Sequence, residues 1–170
     1  MQETPQQYTR RILGYQRGKS AMAILTSSPR KLETLILGVS RKKLRTRPER
    51  GRWSVGEILA HLADTELVIG FRMRLVLGSN KVPIQAFDQD MWADLSQYAR
   101  HDPRLSLEAY RVQRKHNLQL LKLLPRKMWR HYGMHSERGK ETITRIVQMM
   151  AGHDINHMRQ LERIIHAKKN

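Results

Sequence analysis

Two histidines four residues apart near the C-terminus are the first residues whose type and spacing could do chemistry. If the segment is helical, His153 and His157 lie one turn apart, and both imidazoles point to the same side of the helix. Two imidazoles in that arrangement can bind one metal ion. The spacing alone is a weak signal, because His131 and His135 share it, with Gly133 between them in a predicted loop.

The surrounding apolar residues distinguish the pair His153 and His157 from the pair His131 and His135. A last helix, predicted from about 141 to 167, carries an apolar seam that includes His153 and His157. A helix predicted over 54–77 carries a second seam, and His61 lies on it. A buried imidazole without a partner costs about 1–3 kcal/mol. Three inward-pointing histidines therefore favour a shared metal ion, although separate hydrogen bonds to carbonyl or carboxylate oxygens would explain any single one.

A set of three histidines predicts the kind of metal site. Three protein ligands leave a coordination position for water or substrate, which is typical of catalytic rather than structural sites. Imidazole ligands favour one divalent transition metal over Mg or Ca, with Zn, Ni, Fe, Cu and Mn all open. A bound water or thiol would become more acidic and a better nucleophile. No side chain stands out as a general base, so the catalytic residues stay unassigned.

Other polar residues could assist such a site. Four candidates for orienting the imidazoles, each with a surface or capping role as the alternative, are Glu57, Asp64, Asp154 and Gln160. Three arginines could bind an anionic group of a substrate: Arg72, Arg111 and Arg114. Arg111 and Arg114 are expected instead to extend to the surface. His135 fits either the metal pocket or a loop. We interpret the three tryptophans as core or loop anchors: Trp53, Trp92 and Trp129.

The elements that must position these residues are helices. Apolar periodicity and the near absence of alternating strand patterns predict an all-α fold. Helix starts are expected at Thr4-Pro5, at Ser28-Pro29, at the Ser54-x-x-Glu57 capping box and at Ser106, the last of these helices ending near 124. The segments 40–52 and 125–139 are predicted as loops. The connection over 78–104, with a helical turn around 89–95, is too long for a tight turn and indicates a crossover between bundle helices.

Length and composition limit the class of protein. We predict one domain over 1–170, with 1–27 as an extension of short N-terminal helices packed on the bundle. No apolar run approaches the roughly 20 residues that span a bilayer, and no signal peptide is evident. The chain has no cysteine, which excludes disulfides and thiolate sites and fits a cytoplasmic location.

The net charge of +17 is unevenly distributed. Residues 1–50 contribute +9, residues 51–100 contribute −1 and residues 101–170 contribute +9. Such a field attracts nucleic acid and other anions. Aromatic residues do not alternate with the basic runs, however, so nucleic acid binding is the less favoured interpretation.

Three segments resemble the DinB/YfiT-like metalloenzyme family. They are GRWSVGEILAHLADTE at 51–66, FDQDMW at 87–92 and AGHDINHMRQLERI at 151–164. The resemblance implies a four-helix bundle with one long crossover and a metal held by His61, His153 and His157. It also implies a metal-dependent enzyme, a thiol S-transferase or a hydrolase, acting on a small molecule such as a low-molecular-weight thiol, and a homodimer. The alternatives are a basic nucleic-acid-binding module and a non-catalytic, stress-related bundle that binds metal.

Overall fold

The computed structural model describes residues 3–167, and helices dominate it. The helices are α1 Pro5–Gln16, α2 Ala21–Ile36, α3 Arg41–Arg45, α4 Val55–Gly78, α5 Gln89–Leu95, α6 Pro103–Lys122 and α7 Ile143–His166, with short 3-10 turns at Tyr98–Arg100 and Arg126–Arg130. The strands are β1 Val82–Ile84, β2 Tyr132–His135 and β3 Gly139–Thr142. The predicted all-α bundle is confirmed, with this small sheet as an addition. The predicted domain also includes residues 1–2 and 168–170, which lie outside the described residues.

Four long helices, α2, α4, α6 and α7, form the bundle, and each packs against two of the others. The starts of α4 and α6 lie together, since a Cβ on Gly56 would come within 3.0 Å of Pro103. Further along, Arg74 bonds to Asn117, so the two neighbouring helices run parallel. A parallel pair needs a connection that returns along the full helix length. The segment 79–102 provides it, as the predicted crossover requires.

Two apolar clusters occupy the two ends of the bundle. One contains Ile58 of α4 and Leu161 of α7, and the other contains Met73 of α4 and Ile143 of α7. This pairing makes α4 and α7 antiparallel. The level between the clusters holds buried polar groups from three helices: Glu66, Arg114, Asn117, Asp154 and His157. The core therefore has a polar middle layer.

Helix α2 contradicts the predicted start at Ser28-Pro29. Pro29 lies inside α2, and the helix also runs through residue 27, the predicted end of the N-terminal extension. Proline has no N–H, so the carbonyl oxygen of Leu25, four residues earlier, loses its helical partner. That oxygen instead accepts a hydrogen bond from Nη1 of Arg114 at 3.2 Å. A side chain from α6 thus replaces the missing bond, which is why the helix continues.

Other element boundaries also differ from the predictions. Helix α6 begins at Pro103 behind an Asp102 cap, because the Asp102 carboxylate accepts two backbone N–H bonds, and Ser106 lies inside the helix. The predicted loop at 125–139 contains a 3-10 turn and strand β2, which pairs antiparallel with β3. Strand β1, from the crossover, pairs parallel with β2 and completes the sheet. The basic segment 40–52 contains the short helix α3.

Several predicted local signals are present as expected. A helix starts at Pro5 as predicted, the capping box at Ser54 forms, and α5 lies where the helical turn in the crossover was expected. Helix α1 packs on α7, where the backbones approach so closely that a Cβ on Gly152 would lie 2.0 Å from the carbonyl oxygen of Ile12. Among the described residues, no helix has the length and apolar character needed to cross a membrane.

Candidate metal centre

The three predicted histidines meet between α4 and α7. His61 lies in the second turn of α4, whereas His153 and His157 lie one turn apart in α7. Because α4 and α7 are antiparallel neighbours with interdigitated apolar seams, residues on those seams face each other across the helix interface. His61 and His153, which are 92 residues apart in the sequence, therefore meet in the folded protein.

The Nε2 atoms of the three histidines converge. Nε2 of His153 lies 3.1 Å from Nε2 of His61 and 3.1 Å from Nε2 of His157. One nitrogen from each ring falls within 4.8 Å of the others. Nitrogens bound to a single zinc ion at its usual bond length lie roughly 3.0–3.4 Å apart, so the donor set fits one transition metal.

A neighbouring amide orients one of these imidazoles. Nδ1 of His157 lies 3.0 Å from Oε1 of Gln160, a side-chain oxygen that can only accept. His157 therefore carries its proton on Nδ1, and its Nε2 lone pair points toward the other two histidines. Gln160 was one of the candidates for this role, and the contact is confirmed.

Protonation of the three imidazoles is disfavoured by their surroundings. Burial, and after it the neighbouring His157, holds the pKa of His61 well below its usual value. Burial and the two other histidines do the same for His153. Burial lowers the pKa of His157 to about 4, against the opposing effect of the hydrogen bond that His157 donates to Gln160. All three rings are thus neutral at pH 7, which is the form in which imidazole binds metals.

Two more side chains contact His61, and the sequence reasoning gave neither of them a site role. The ring of Trp53 lies 5.0 Å from the ring of His61, between centroids, so Trp53 packs on a candidate ligand rather than serving as a loop anchor alone. Oγ1 of Thr65, on the next turn of α4, lies 3.4 Å from Nε2 of His61. Spacing could have identified Thr65, which is four residues from His61. Nothing local to Trp53, which precedes the helix, indicates its contact.

A cavity of about 290 Å³ opens beside the three histidines. His61 and His153 form part of its wall, and apolar side chains from both helices line the interior, among them Ile69, Met149 and Met150. The other wall comes from the crossover, the β2–β3 hairpin and the chain around α1: Glu3, Pro5, Tyr8, Ala86, Phe87, Gln89, His135, Glu137 and Arg138. His135 therefore lies in the pocket, the first of its two predicted alternatives.

Three of the four candidates for orienting the histidines have other partners. Glu57 caps α4 through Ser54 and pairs with Arg47. Asp64 accepts a hydrogen bond from the hydroxyl of Tyr98. Asp154 accepts bonds from Arg114 and from Tyr110. Glu57 therefore has the capping role that was its alternative, whereas Asp64 and Asp154 pair within the core, and none of the three forms a hydrogen bond with an imidazole of the cluster.

The three candidate arginines have different surroundings. Arg111 lies at the surface, as expected, and pairs with Glu33. Arg114 is 2% exposed and pairs with Glu66 and Asp154, so the prediction that it reaches the surface is wrong. Arg72 is 5% exposed and lines the cavity. Only Arg72 among the three is placed to meet a ligand.

Comparisons of the sequence with known proteins identify a superfamily and several relatives. A sequence profile of the DinB superfamily matches residues 24–161. The chain is 28% identical over 131 residues to a protein of Oceanobacillus iheyensis named "Putative metal-dependent hydrolase", covering 76% of this chain and 75% of that protein. It is 26% identical over 145 residues to YfiT of Bacillus subtilis, which carries the same description, covering 82% and 81% of the two chains.

Two solved structures share the fold. The structure of Bacillus subtilis YfiT, described as having an unusual four-helix bundle topology, matches with a TM-score of 0.79 and 20% identity over 95% of this chain and 87% of that one. A mycothiol-dependent maleylpyruvate isomerase matches with a TM-score of 0.68 and 10% identity over 83% of this chain and 59% of the other. At these identities the matches establish the bundle fold.

Proposed function

The chain belongs to the DinB superfamily, and on this basis we propose that it is a metal-dependent enzyme in which His61, His153 and His157 bind one divalent transition metal. The observation that carries the proposal is the convergence of three neutral imidazole Nε2 atoms from two distant segments at 3.1 Å separations. The names of the relatives as metal-dependent hydrolases support it.

The reaction that fits the site best is nucleophilic attack on a small molecule by a thiol or by water. A divalent metal supplies Lewis acidity that makes either nucleophile more reactive near neutral pH. The protein holds the three imidazoles in place through Gln160 and the packing of Trp53, and it restricts water by lining the adjoining cavity with Ile69 and two methionines. The enzyme is thus either a thiol S-transferase or a hydrolase. A fold neighbour that depends on mycothiol supports a low-molecular-weight thiol as one reactant.

Metal analysis tests the site. Protein purified without a histidine tag is dialysed in turn against Zn, Ni, Fe, Cu and Mn, and bound metal is measured by elemental analysis. We expect one equivalent per chain for at least one metal, and its loss in His61→Ala, His153→Ala and His157→Ala. His116→Ala is the matched control, because His116 lies on α6 outside the cluster. Wild-type protein that retains no more of any metal than His153→Ala would refute the site.

A second assay separates the two reaction types. The metal-loaded protein is supplied with an activated ester and with a chlorinated nitroarene, each with and without an added low-molecular-weight thiol. A hydrolase turns over the ester without thiol, whereas a thiol S-transferase needs the thiol and forms its conjugate. Turnover that is equal in wild type and His153→Ala would exclude the metal site from either reaction.

A further inference from the structure

Arg72 of α4 is a buried cation in the wall of the cavity. It is 5% exposed, and its Nη2 donates to the backbone carbonyl of Gln85. Its guanidinium lies over the ring of Phe87, 5.6 Å from the centroid. Within residues 3–167, no carboxylate forms an ion pair with it, although the other buried arginine of the bundle, Arg114, has two. Burying a charge without a counter-ion is costly. An anionic ligand could supply the counter-ion that the described residues do not.

His135 supplies a second unused donor. Its Nδ1 accepts a hydrogen bond from the backbone N–H of Glu137 at 3.2 Å, so the neutral ring carries its proton on Nε2. That Nε2 is buried, and no described group accepts from it. The residue is 3% exposed. Burial and the nearby Arg138 lower its pKa to about 4, so at pH 7 the ring is a neutral donor.

Both donors belong to the wall of the cavity beside the three histidines. The charges around them do not supply an acceptor. Arg138 is paired with Glu141, Glu3 is paired with Arg11, and Glu137 makes no ion pair with Arg72. Burial, and after it the neighbouring Arg138, lowers the pKa of Arg72 to about 10, against the weaker opposing effects of Glu141 and Glu137.

We propose that Arg72 and His135 form the subsite for an anionic oxygen group, a carboxylate or a phosphate, of the small-molecule substrate. A guanidinium matches the two oxygens of such a group with parallel hydrogen bonds, and a neutral imidazole N–H adds a third. As a description of the substrate, this inference rests on the proposed function. The binding site itself does not depend on a metal.

The position of the subsite gives the substrate a direction. His61, Thr65, Ile69 and Arg72 lie on one face of α4 and line the cavity together. Arg72 follows His61 by eleven residues, a rise of about 16 Å along the helix axis. The anionic group therefore binds at the end of the cavity away from the three histidines, and the reacting group of the substrate points toward them.

Calorimetry on the metal-free protein tests the subsite. The probes are succinate, methyl phosphate and the neutral diamide of succinate, titrated at 150 mM NaCl and pH 7.5. We expect one molecule of at least one anion to bind per chain, and the diamide not to bind. The tighter of the two anions shows whether the group is a carboxylate or a phosphate. Failure of both anions to bind wild-type protein would overturn the proposal.

Variants locate the binding. Arg72→Gln should lower the affinity for the tighter-binding anion at least tenfold, and His135→Leu should lower it several-fold. Arg72→Lys, which keeps the charge but loses the planar fork, should give an intermediate loss and serves as well if Arg72→Gln does not fold. Arg111→Gln removes the same charge from the surface and should change the affinity less than twofold. An equal loss in Arg111→Gln, or no loss in the Arg72 variants, would attribute binding to the net charge and overturn the subsite.

Metal content distinguishes this failure from that of the proposed function. Arg72→Gln should retain metal at the wild-type level, because Arg72 is not among the three converging residues. Loss of anion binding with metal retained supports the subsite. Wild-type protein that binds the anion but no metal refutes the proposed function and leaves the subsite standing.

Discussion

Nη1 of Arg114 lies 2.6 Å from Oδ2 of Asp154, the residue that directly follows His153 in α7. The same guanidinium bonds to Glu66 of α4 through Nε and Nη2. One buried cation on α6 therefore ties together the two helices that carry the three histidines. With its bond to Leu25 of α2, Arg114 connects α6 to the other three helices of the bundle.

Replacing Arg114 should destabilise the protein strongly. Arg114→Met leaves Glu66 and Asp154 buried without a cation, and breaking a buried charge pair in this way costs about 3–5 kcal/mol. The free energy of unfolding, measured by urea denaturation, should fall by that amount. The matched change Arg111→Met, one turn earlier and exposed, should cost less than about 1 kcal/mol. Equal losses in the two variants would mean that the network adds little.

The opposite effect is expected at Arg72. Because its buried charge has no anionic partner among the described residues, Arg72→Met should raise the thermal midpoint of the ligand-free protein by a few degrees, or about 1 kcal/mol. Such a gain is typical of residues kept for binding rather than stability. Differential scanning calorimetry without added anions measures it. A midpoint more than a few degrees below wild type would show that Arg72 is a structural residue.

Acid should destabilise the metal-free protein, in part through His135. Its pKa is about 4 in the folded protein, because of burial and Arg138, whereas an exposed histidine in the unfolded chain has a pKa of 6.5. The unfolded chain therefore binds more protons between these values, and stability is full above pH 6.5 and falls as the pH drops toward 4. Because solvent screening reduces the effect of this difference on stability, we expect His135 to contribute about 1–2 kcal/mol. Urea unfolding at pH 7.5 and 4.5 should show a smaller loss in His135→Leu than in wild type, and identical losses would count against a buried neutral His135.

The close contact between α1 and α7 predicts the effect of a single methyl group. Gly152→Ala places a Cβ against the carbonyl oxygen of Ile12, and neither backbone can yield easily. We expect a loss of about 1–3 kcal/mol and a displaced α1. Gly14→Ala is the control, since a Cβ there meets nothing within 4 Å, and it should gain about 0.5–1 kcal/mol through helix propensity. A neutral Gly152→Ala variant would contradict the packing of α1.

Gln160 and Glu57, which sequence spacing alone could not rank as candidates for orienting the histidines, should differ in their effect on metal affinity. Gln160→Ala removes the acceptor that orients His157 and should lower metal affinity roughly 10- to 100-fold. Glu57→Gln should leave metal affinity nearly unchanged, because Glu57 bonds to Arg47 and the backbone of Ser54. Competition with a chelator of known affinity measures both. A Gln160→Ala variant with wild-type affinity would remove Gln160 from the site.

Helical periodicity explains which features could be predicted. It placed His61, His153 and His157 on inward faces, and the length of the segment between two seams indicated the crossover. Both depend on spacing along the chain. Pro29 was misread because its missing hydrogen bond is replaced by Arg114, which lies 85 residues away and gives no local signal.

The small sheet and the burial of Arg114 could not be predicted from the sequence, for related reasons. Strands of three or four residues are too short for an alternating pattern to stand out, and β1 and β2 come from segments about 50 residues apart. The sequence predicts Arg72 on an inward helix face and Arg114 at the surface, although both arginines are buried. Only the carboxylates that other helices bring to Arg114, and do not bring to Arg72, distinguish a structural cation from one available to a ligand.

The parallel arrangement of α4 and α6 has a consequence for how this protein can change over evolution. Because the chain must travel back along the bundle, part of the connection over 79–102 forms one wall of the cavity together with the β2–β3 hairpin. The bundle helices carry the three histidines, and the connection between α4 and α6 lines part of the cavity beside them. Insertions or substitutions in that returning chain can alter which molecules fit while leaving the packed helices, and the ligands on them, untouched.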